Sequence, residues 1–307
     1  MKHVFFLAAT LLTSLPPVIA SAQAPSVGFG FPTFSWSGHL PITVTPPSSP
    51  PPSPPPSGGA PPPSGGAPPP SGGGACPNGA TPGITIPSGW NCDPALSDEF
   101  QGTTVNTSKW QFGTGGAHST ASCNDYVAPT QNNDAIQTIS YNSSNNTFNV
   151  AEDFEAIVWP PSNYYREVET TPAAASAGLD PATWTFGLNS DGTHAEIDEW
   201  EYGQINFYLW DPNWNLLWSV TNVADATGGK GNFFDGNPHI LGFLKNNGQM
   251  SFYWDNALVY TTNDPDNGEF TNSQDEIIWQ SIVENGCPAN SGLPSSRVTN
   301  YVRIWHP

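Results

Sequence analysis

Basic residues are scarce in this chain: seven Lys and Arg stand against 26 Asp and Glu in 307 residues, a formal net charge of −19. Such a surface excludes nucleic acid and anionic lipid as partners, because both require clustered Lys and Arg. Charged residues make up only 11% of the chain, so halophile-style supercharging is excluded as well. The four cysteines, Cys76, Cys92, Cys123 and Cys287, contain no C-x-x-C pair, which removes the usual zinc spacing. Neither the N-terminal apolar run nor any later segment is long and apolar enough to span a bilayer. Helical periodicity is missing too, which leaves an all-β chain.

What is present begins with an export signal. Lys2 and His3 precede the apolar run Val4 to Leu12 and the small-residue site Ala20-Ser-Ala22, so residues 1–22 read as a cleaved secretory leader. Secretion, with no membrane attachment after cleavage, is the expected location, and an oxidising compartment agrees with the cysteines. Residues 23–45 are too few for a domain and have no assigned role. Residues 46–75 follow a PPPSGGA theme, in which polyproline stretches alternate with Gly-Gly joints to make a semi-stiff linker.

Residues 76–307 form one domain large enough for a substantial core. Short alternating runs such as Ile205-Asn-Phe-Tyr-Leu-Trp210 and Tyr301-Val-Arg-Ile-Trp305 are separated by Gly, Asn, Asp and Pro. Ser251 to Tyr260 reads as a hairpin turning at Asp255-Asn256. Many short strands with regular turns imply a β-sandwich or a related barrel.

The segment Glu196-Ile-Asp-Glu-Trp-Glu201 concentrates the chemistry. Strand alternation puts Glu196 and Asp198 on one face, whereas Glu201 has the wrong parity. One extra residue in a β-bulge near Glu199 or Trp200 restores it. Acids crowded on one face raise each other's pKa, which suits an acid/base catalyst. Retaining glycosidases need two carboxyls roughly 5–5.5 Å apart. The bland alternative is an acidic face that only solvates the sheet or binds calcium. The acidic surface favours a neutral polysaccharide over a sulfated or uronic one.

Four segments in order resemble glycoside hydrolase family 16. They are Leu96-Ser-Asp-Glu-Phe…Ser-Lys-Trp110, the Glu196–Glu201 strand in its longer bulged form, the hairpin Phe252–Tyr260, and the closing run Asn300-Tyr-Val-Arg-Ile-Trp305. The resemblance implies an all-β fold, a β-jelly-roll sandwich of two antiparallel sheets of the concanavalin A type. It also implies endo-acting hydrolysis with retention, with Glu196 as nucleophile, Glu201 as general acid/base and Asp198 as assisting carboxylate. No cofactor or catalytic metal is called for, and a structural calcium stays open. A monomer acting on a neutral β-1,3- or mixed β-1,3/1,4-glucan is expected. Transglycosylation, an agar-type galactan and a non-catalytic carbohydrate-binding module are the competing readings.

Departures from the family pattern fall around the active strand. Leu179-Asp-Pro-Ala-Thr-Trp184 keeps only the second tryptophan, and His194 stands where relatives often carry tryptophan. Trp184, His194, Trp200 and Trp210 are candidate sugar contacts, while core burial is the alternative for any tryptophan. Arg166, after Tyr164-Tyr165, is a cleft donor or an ion-pair partner. His239 is a cleft residue or a satisfied structural histidine. Four cysteines allow three pairings, of which Cys76–Cys92 with Cys123–Cys287 is favoured by loop proximity.

Overall fold

A computed structural model describes residues 76–113, 124–173, 179–180, 182–201, 203–279, 282–283 and 293–307. The leader, residues 23–45, the linker through residue 75, Cys123 and Cys287 lie outside the described residues. In chain order the first strands are β1 Asn91–Cys92, β2 Trp110–Gly113, β3 Asn124–Val127, β4 Thr130–Gln131, β5 Ala135–Asn142 and β6 Thr147–Ala151. Next come β7 Asp153–Ala156, β8 Tyr164–Thr171, β9 Leu179–Asp180, β10 Thr183–Leu188, β11 His194–Glu201, β12 Gln204–Trp210 and β13 Leu216–Asp225. The last are β14 His239–Asn246, β15 Gln249–Trp254, β16 Ala257–Asn263, β17 Gln274–Trp279, β18 Ile282–Val283 and β19 Ser295–His306.

Two sheets stack as a sandwich. One has seven strands in the order β13-β12-β11-β10-β17-β7-β2. The other has ten, with the path β16-β15-β14-β8-β19-β5-β6-β3, β1 beside β19 and β4 beside β5. The expected two-sheet jelly roll is observed, with one difference: β3 runs parallel to β6, the only parallel pair among the described strands. A small third pair joins β18 to β9.

Alternation along each strand builds the core. Ala195, Ile197, Phe207 and Leu209 from the seven-stranded sheet meet Val168, Phe243, Phe252 and Ile304 from the ten-stranded sheet. Each fully buried aliphatic or aromatic side chain there contributes about 1.5–3 kcal/mol. A smaller cluster of Ile84, Ile86, Trp90, Tyr165 and Trp305 covers the outer face of the ten-stranded sheet. The Cys76–Cys92 disulfide closes this flap, with Cα atoms 4.9 Å apart.

The first and last family-like segments meet and clasp the domain. Arg303 donates to both Glu99 carboxylate oxygens at 2.7 and 2.8 Å, and the Ile304 amide donates to Ser97 Oγ at 3.0 Å. Trp110 Nε1 donates to Asp98 Oδ2 at 2.9 Å. The predicted hairpin forms between β15 and β16, and Asp255 and Asn256 both have positive φ, as a tight turn of matching twist requires.

Candidate active site

The carboxylates stand on β11, near the middle of the seven-stranded sheet. Ala195 and Ile197 point into the core, so Glu196 and Asp198 point to the outer face. Pairing with β12 then slips: Asp198 faces Asn206 and Glu201 faces Gln204, three residues against two. The pairing with β10 slips at the same place. This is the expected bulge. Inside it Glu199 and Trp200 are both buried on the core side, and Glu201 returns to the face of Glu196 and Asp198. A hairpin follows at once, with Gly203 at φ +77°, and it brings β12 back alongside.

Neighbouring strands furnish the partners. Trp210 Nε1 donates to Glu196 Oε2 at 2.8 Å, and Asn206 Nδ2 donates to Glu201 Oε2 at 2.8 Å. Trp184 lies directly across from Asp198 and Phe186 across from Glu196. His194 stacks with Phe186 and with Trp214, whose half-exposed ring lies 4.6 Å from the imidazole and 8° from parallel. Asp198 is buried between these elements.

The acids perturb one another. Removal from water and the charge of Glu201 push Glu196 up to about 8, with the Trp210 hydrogen bond working in the opposite direction. Burial first, then the charges of Glu201 and Glu196, raise Asp198 well above the usual aspartate range. The triplet therefore retains a proton at neutral pH, as a general acid must. Along the same sheet face Glu155 and Glu276 share Gln111 Nε2 at 2.9 and 3.4 Å, and burial plus Glu155 lifts Glu276 to about 7.

Removing the donor at the first carboxylate tests this balance. Trp210→Phe is expected to lift the pKa of Glu196, because a hydrogen bond to its charged form is lost. The acidic limb of a pH–activity profile should move up by about one pH unit. An unmoved limb would remove Trp210 from the account.

The same shifts bear on stability. Glu196 reaches about 8, and Glu199 and Glu276 about 7, whereas unfolded carboxyls titrate near about 4. Groups whose folded pKa is raised bind protons that the unfolded chain has released. Their contribution is complete below the unfolded value and is lost as pH rises to about 8. Thermal unfolding should show a melting temperature at pH 5 at least about 5 °C above that at pH 8. The opposite order would contradict it.

Of the residues singled out in the sequence, the structure brings Glu196, Asp198, Glu201, Trp184, His194 and Trp210 to one region of the outer face. Three others lie elsewhere. Trp200 is in the core against Phe233 and Trp254, because the bulge turns it inward. Arg166 is fully buried between the sheets, where Nη2 meets Glu199 Oε2 at 2.5 Å. His239 is held by Asp255 at 3.0 Å and Asp235 at 3.1 Å and stacks on Trp254, as a structural histidine does. Asn206, Phe186 and Trp214 were missed; the period-2 register from Glu196 through β10 and β12 was the available signal for the first two. Among the described residues no group of three or more His, Cys, Asp or Glu side chains is placed to hold a metal ion.

No protein-family model matches the sequence, and no curated protein matches it. Solved structures do match in fold. A laminarinase from Flavobacterium sp. UMI-01 shares 18% identity at TM-score 0.53, over 68% of this chain and 98% of that one. β-Agarase A from Zobellia galactanivorans shares 18% at TM-score 0.55, over 70% and 92%. SCLam, a non-specific endo-β-1,3(4)-glucanase from family GH16, shares 14% at TM-score 0.53, over 72% and 93%. The chain has the β-jelly-roll fold of these glycoside hydrolase structures, with its three carboxylates on one bulged strand of the seven-stranded sheet.

Proposed function

We propose that this protein is an exported, endo-acting, retaining glycoside hydrolase of family 16 type that cleaves a neutral β-glycan. The observation that carries the reading is the bulge, which returns Glu201 to the face of Glu196 and Asp198 and gives the two glutamates different donors, Asn206 and Trp210. In the proposed reaction a Glu196 oxygen attacks the anomeric carbon while Glu201 protonates the departing glycosidic oxygen. Glu201 then takes a proton from water, whose oxygen displaces Glu196 and restores the original anomeric configuration. Asp198, hydrogen-bonded to Glu201 and opposed by both glutamates, helps keep one proton within the triplet.

The positions of the cations support a neutral substrate. Six of the seven Lys and Arg fall within the described residues, and each has a hydrogen-bond or ion-pair partner outside the carboxylate triplet. Arg166 pairs with Glu199, Lys245 with Asp275 and Arg303 with Glu99. Arg297 donates to Ala182 and Thr183, Lys230 to the Leu258 carbonyl, and Lys109 to the Pro94 and Ser97 carbonyls. A sulfated polymer would meet Glu155, Glu276 and the catalytic acids without a counter-charge. A β-1,3- or mixed-linkage glucan is the favoured substrate, and agarose is the neutral alternative.

Reducing-sugar release from laminarin, lichenan, agarose and carrageenan tests the reading. Release is expected from laminarin or lichenan and not from carrageenan. No release from any of them overturns the function, and release from carrageenan alone overturns the charge argument.

A further inference from the structure

The second glutamate is held by an amide whose orientation is fixed by the backbone of a third strand. Asn206 is 5% exposed, and its Nδ2 donates to Glu201 Oε2 at 2.8 Å. Its Oδ1 accepts the Asn222 backbone N–H, also at 2.8 Å. A backbone N–H can only donate, so the amide oxygen must face Asn222 and the NH2 group must face Glu201.

That contact depends on a second irregularity. Between β12 and β13, Ile205 pairs with Ala224 but Phe207 pairs with Val220, so two extra residues bulge out of β13 opposite Asn206. Asn222 sits in this bulge at φ +55°, and its N–H turns from the ladder to the Asn206 side chain. Bulges in β11 and β13 thus flank one short side chain.

We propose that Asn206 is a positioning residue for the acid/base. By donating to Oε2 as a fixed donor, with Asp198 as the carboxyl's other hydrogen-bond neighbour, it sets the orientation in which Glu201 exchanges a proton with the glycosidic oxygen. This inference rests on the function proposed above. The titratable groups facing Glu201 from its own strand are Asp198 and Glu196. β10 presents Trp184 and β12 presents Gln204 and Asn206, none of them charged, while Thr183 pairs with the inward Trp200 and accepts from Arg297 on the core side. Asp225 of β13 pairs in register with Gln204, and its carboxylate is taken by Thr227 and Gly229. Asn206 is thus the neutral donor in an otherwise acidic setting, and its loss should favour the protonated form of Glu201.

The test compares wild type, Asn206→Ala, the isosteric Asn206→Asp and Asn222→Val on the best glycan of the panel. Their activity on a 2,4-dinitrophenyl glycoside, whose leaving group needs no proton, is measured in parallel. For Asn206→Ala the basic limb of the pH profile should rise by about one unit. kcat on the polymer should fall by about tenfold with little change in KM, and the aryl glycoside should be turned over within about twofold of wild type. Asn206→Asp, which adds a fourth carboxyl, should move the limb at least as far. Asn222→Val, with a β-branched residue at a left-handed position, should move it in the same direction. An unmoved limb in both Asn206 variants, or equal losses on polymer and aryl glycoside, overturns the proposal. Failure of the wild type to cleave any glycan overturns the function itself.

Discussion

Glu196→Ala should lower kcat/KM on the polymer by about 10⁴-fold, equivalent to about 5.5 kcal/mol of transition-state stabilisation. Added azide should then restore turnover of an activated β-glycoside and give the α-glycosyl azide. The shortened side chain leaves room on the face from which Glu196 would attack, and a small anion entering there inverts the anomeric centre. Glu201→Ala should behave differently. It should still react with an activated leaving group, because Glu196 remains, and azide should release the β-glycosyl azide from the covalent intermediate.

The pair of outcomes assigns the two roles independently of sequence likeness. It also separates hydrolysis from mere binding, because a non-catalytic module would form neither azide. The measurements are kinetics with and without azide, and the anomeric coupling of the azide product. The same azide anomer from both variants would remove the assignment of Glu196 and Glu201.

The parity of the active strand was the most legible part of the site. Three acids at positions 196, 198 and 201 cannot share a face on a regular strand, so the sequence alone requires a bulge. In a regular strand Trp200 shares the face of Glu196, and the one-residue slip that recovers Glu201 turns Trp200 into the core. One irregularity therefore returned Glu201 to the face of Glu196 and turned Trp200 away from it.

Elsewhere legibility followed the range of the interaction. The hairpin at Asp255-Asn256 is local and was read directly. The acceptors of His239 are 4 and 16 residues away, and the structural role became clear only when β14 and β15 paired. The Asn222–Asn206 contact depends on the irregular pairing of β12 and β13, for which the sequence carries no periodic signal. The clasp between Glu99 and Arg303 joins residues 204 apart. There the family likeness located both segments, although neither run alone shows that they meet.

The largest expected effect on stability comes from Arg166→Met. Arg166 and Glu199 form an ion pair buried between the sheets, with Nη2 and Oε2 2.5 Å apart. Removing the guanidinium leaves a carboxyl inside the core without its counter-charge, which costs about 3–5 kcal/mol. For a domain of this size that lowers the melting temperature by roughly 6–20 °C. Burial already pushes Glu199 up to about 7 even though Arg166 opposes the shift, so the variant should hold the proton more tightly still. The loss should accordingly be smaller at pH 5, where Glu199 is protonated, than at pH 8, where it must be either ionised in the core or protonated at a cost. Arg166→Met combined with Glu199→Leu should recover most of the stability by replacing the pair with apolar volume. Activity is coupled to the same contact, because Glu199 is one of the two inward residues of the bulge that sets Glu201 on the face of Glu196. Well below its melting temperature the single variant should therefore lose kcat, and the double variant should show whether the bulge needs the charge or only the packing. Thermal unfolding at the two pH values, with polymer kinetics at 20 °C, measures both effects. An equal loss of melting temperature at pH 5 and pH 8 would be inconsistent with a proton taken up by Glu199.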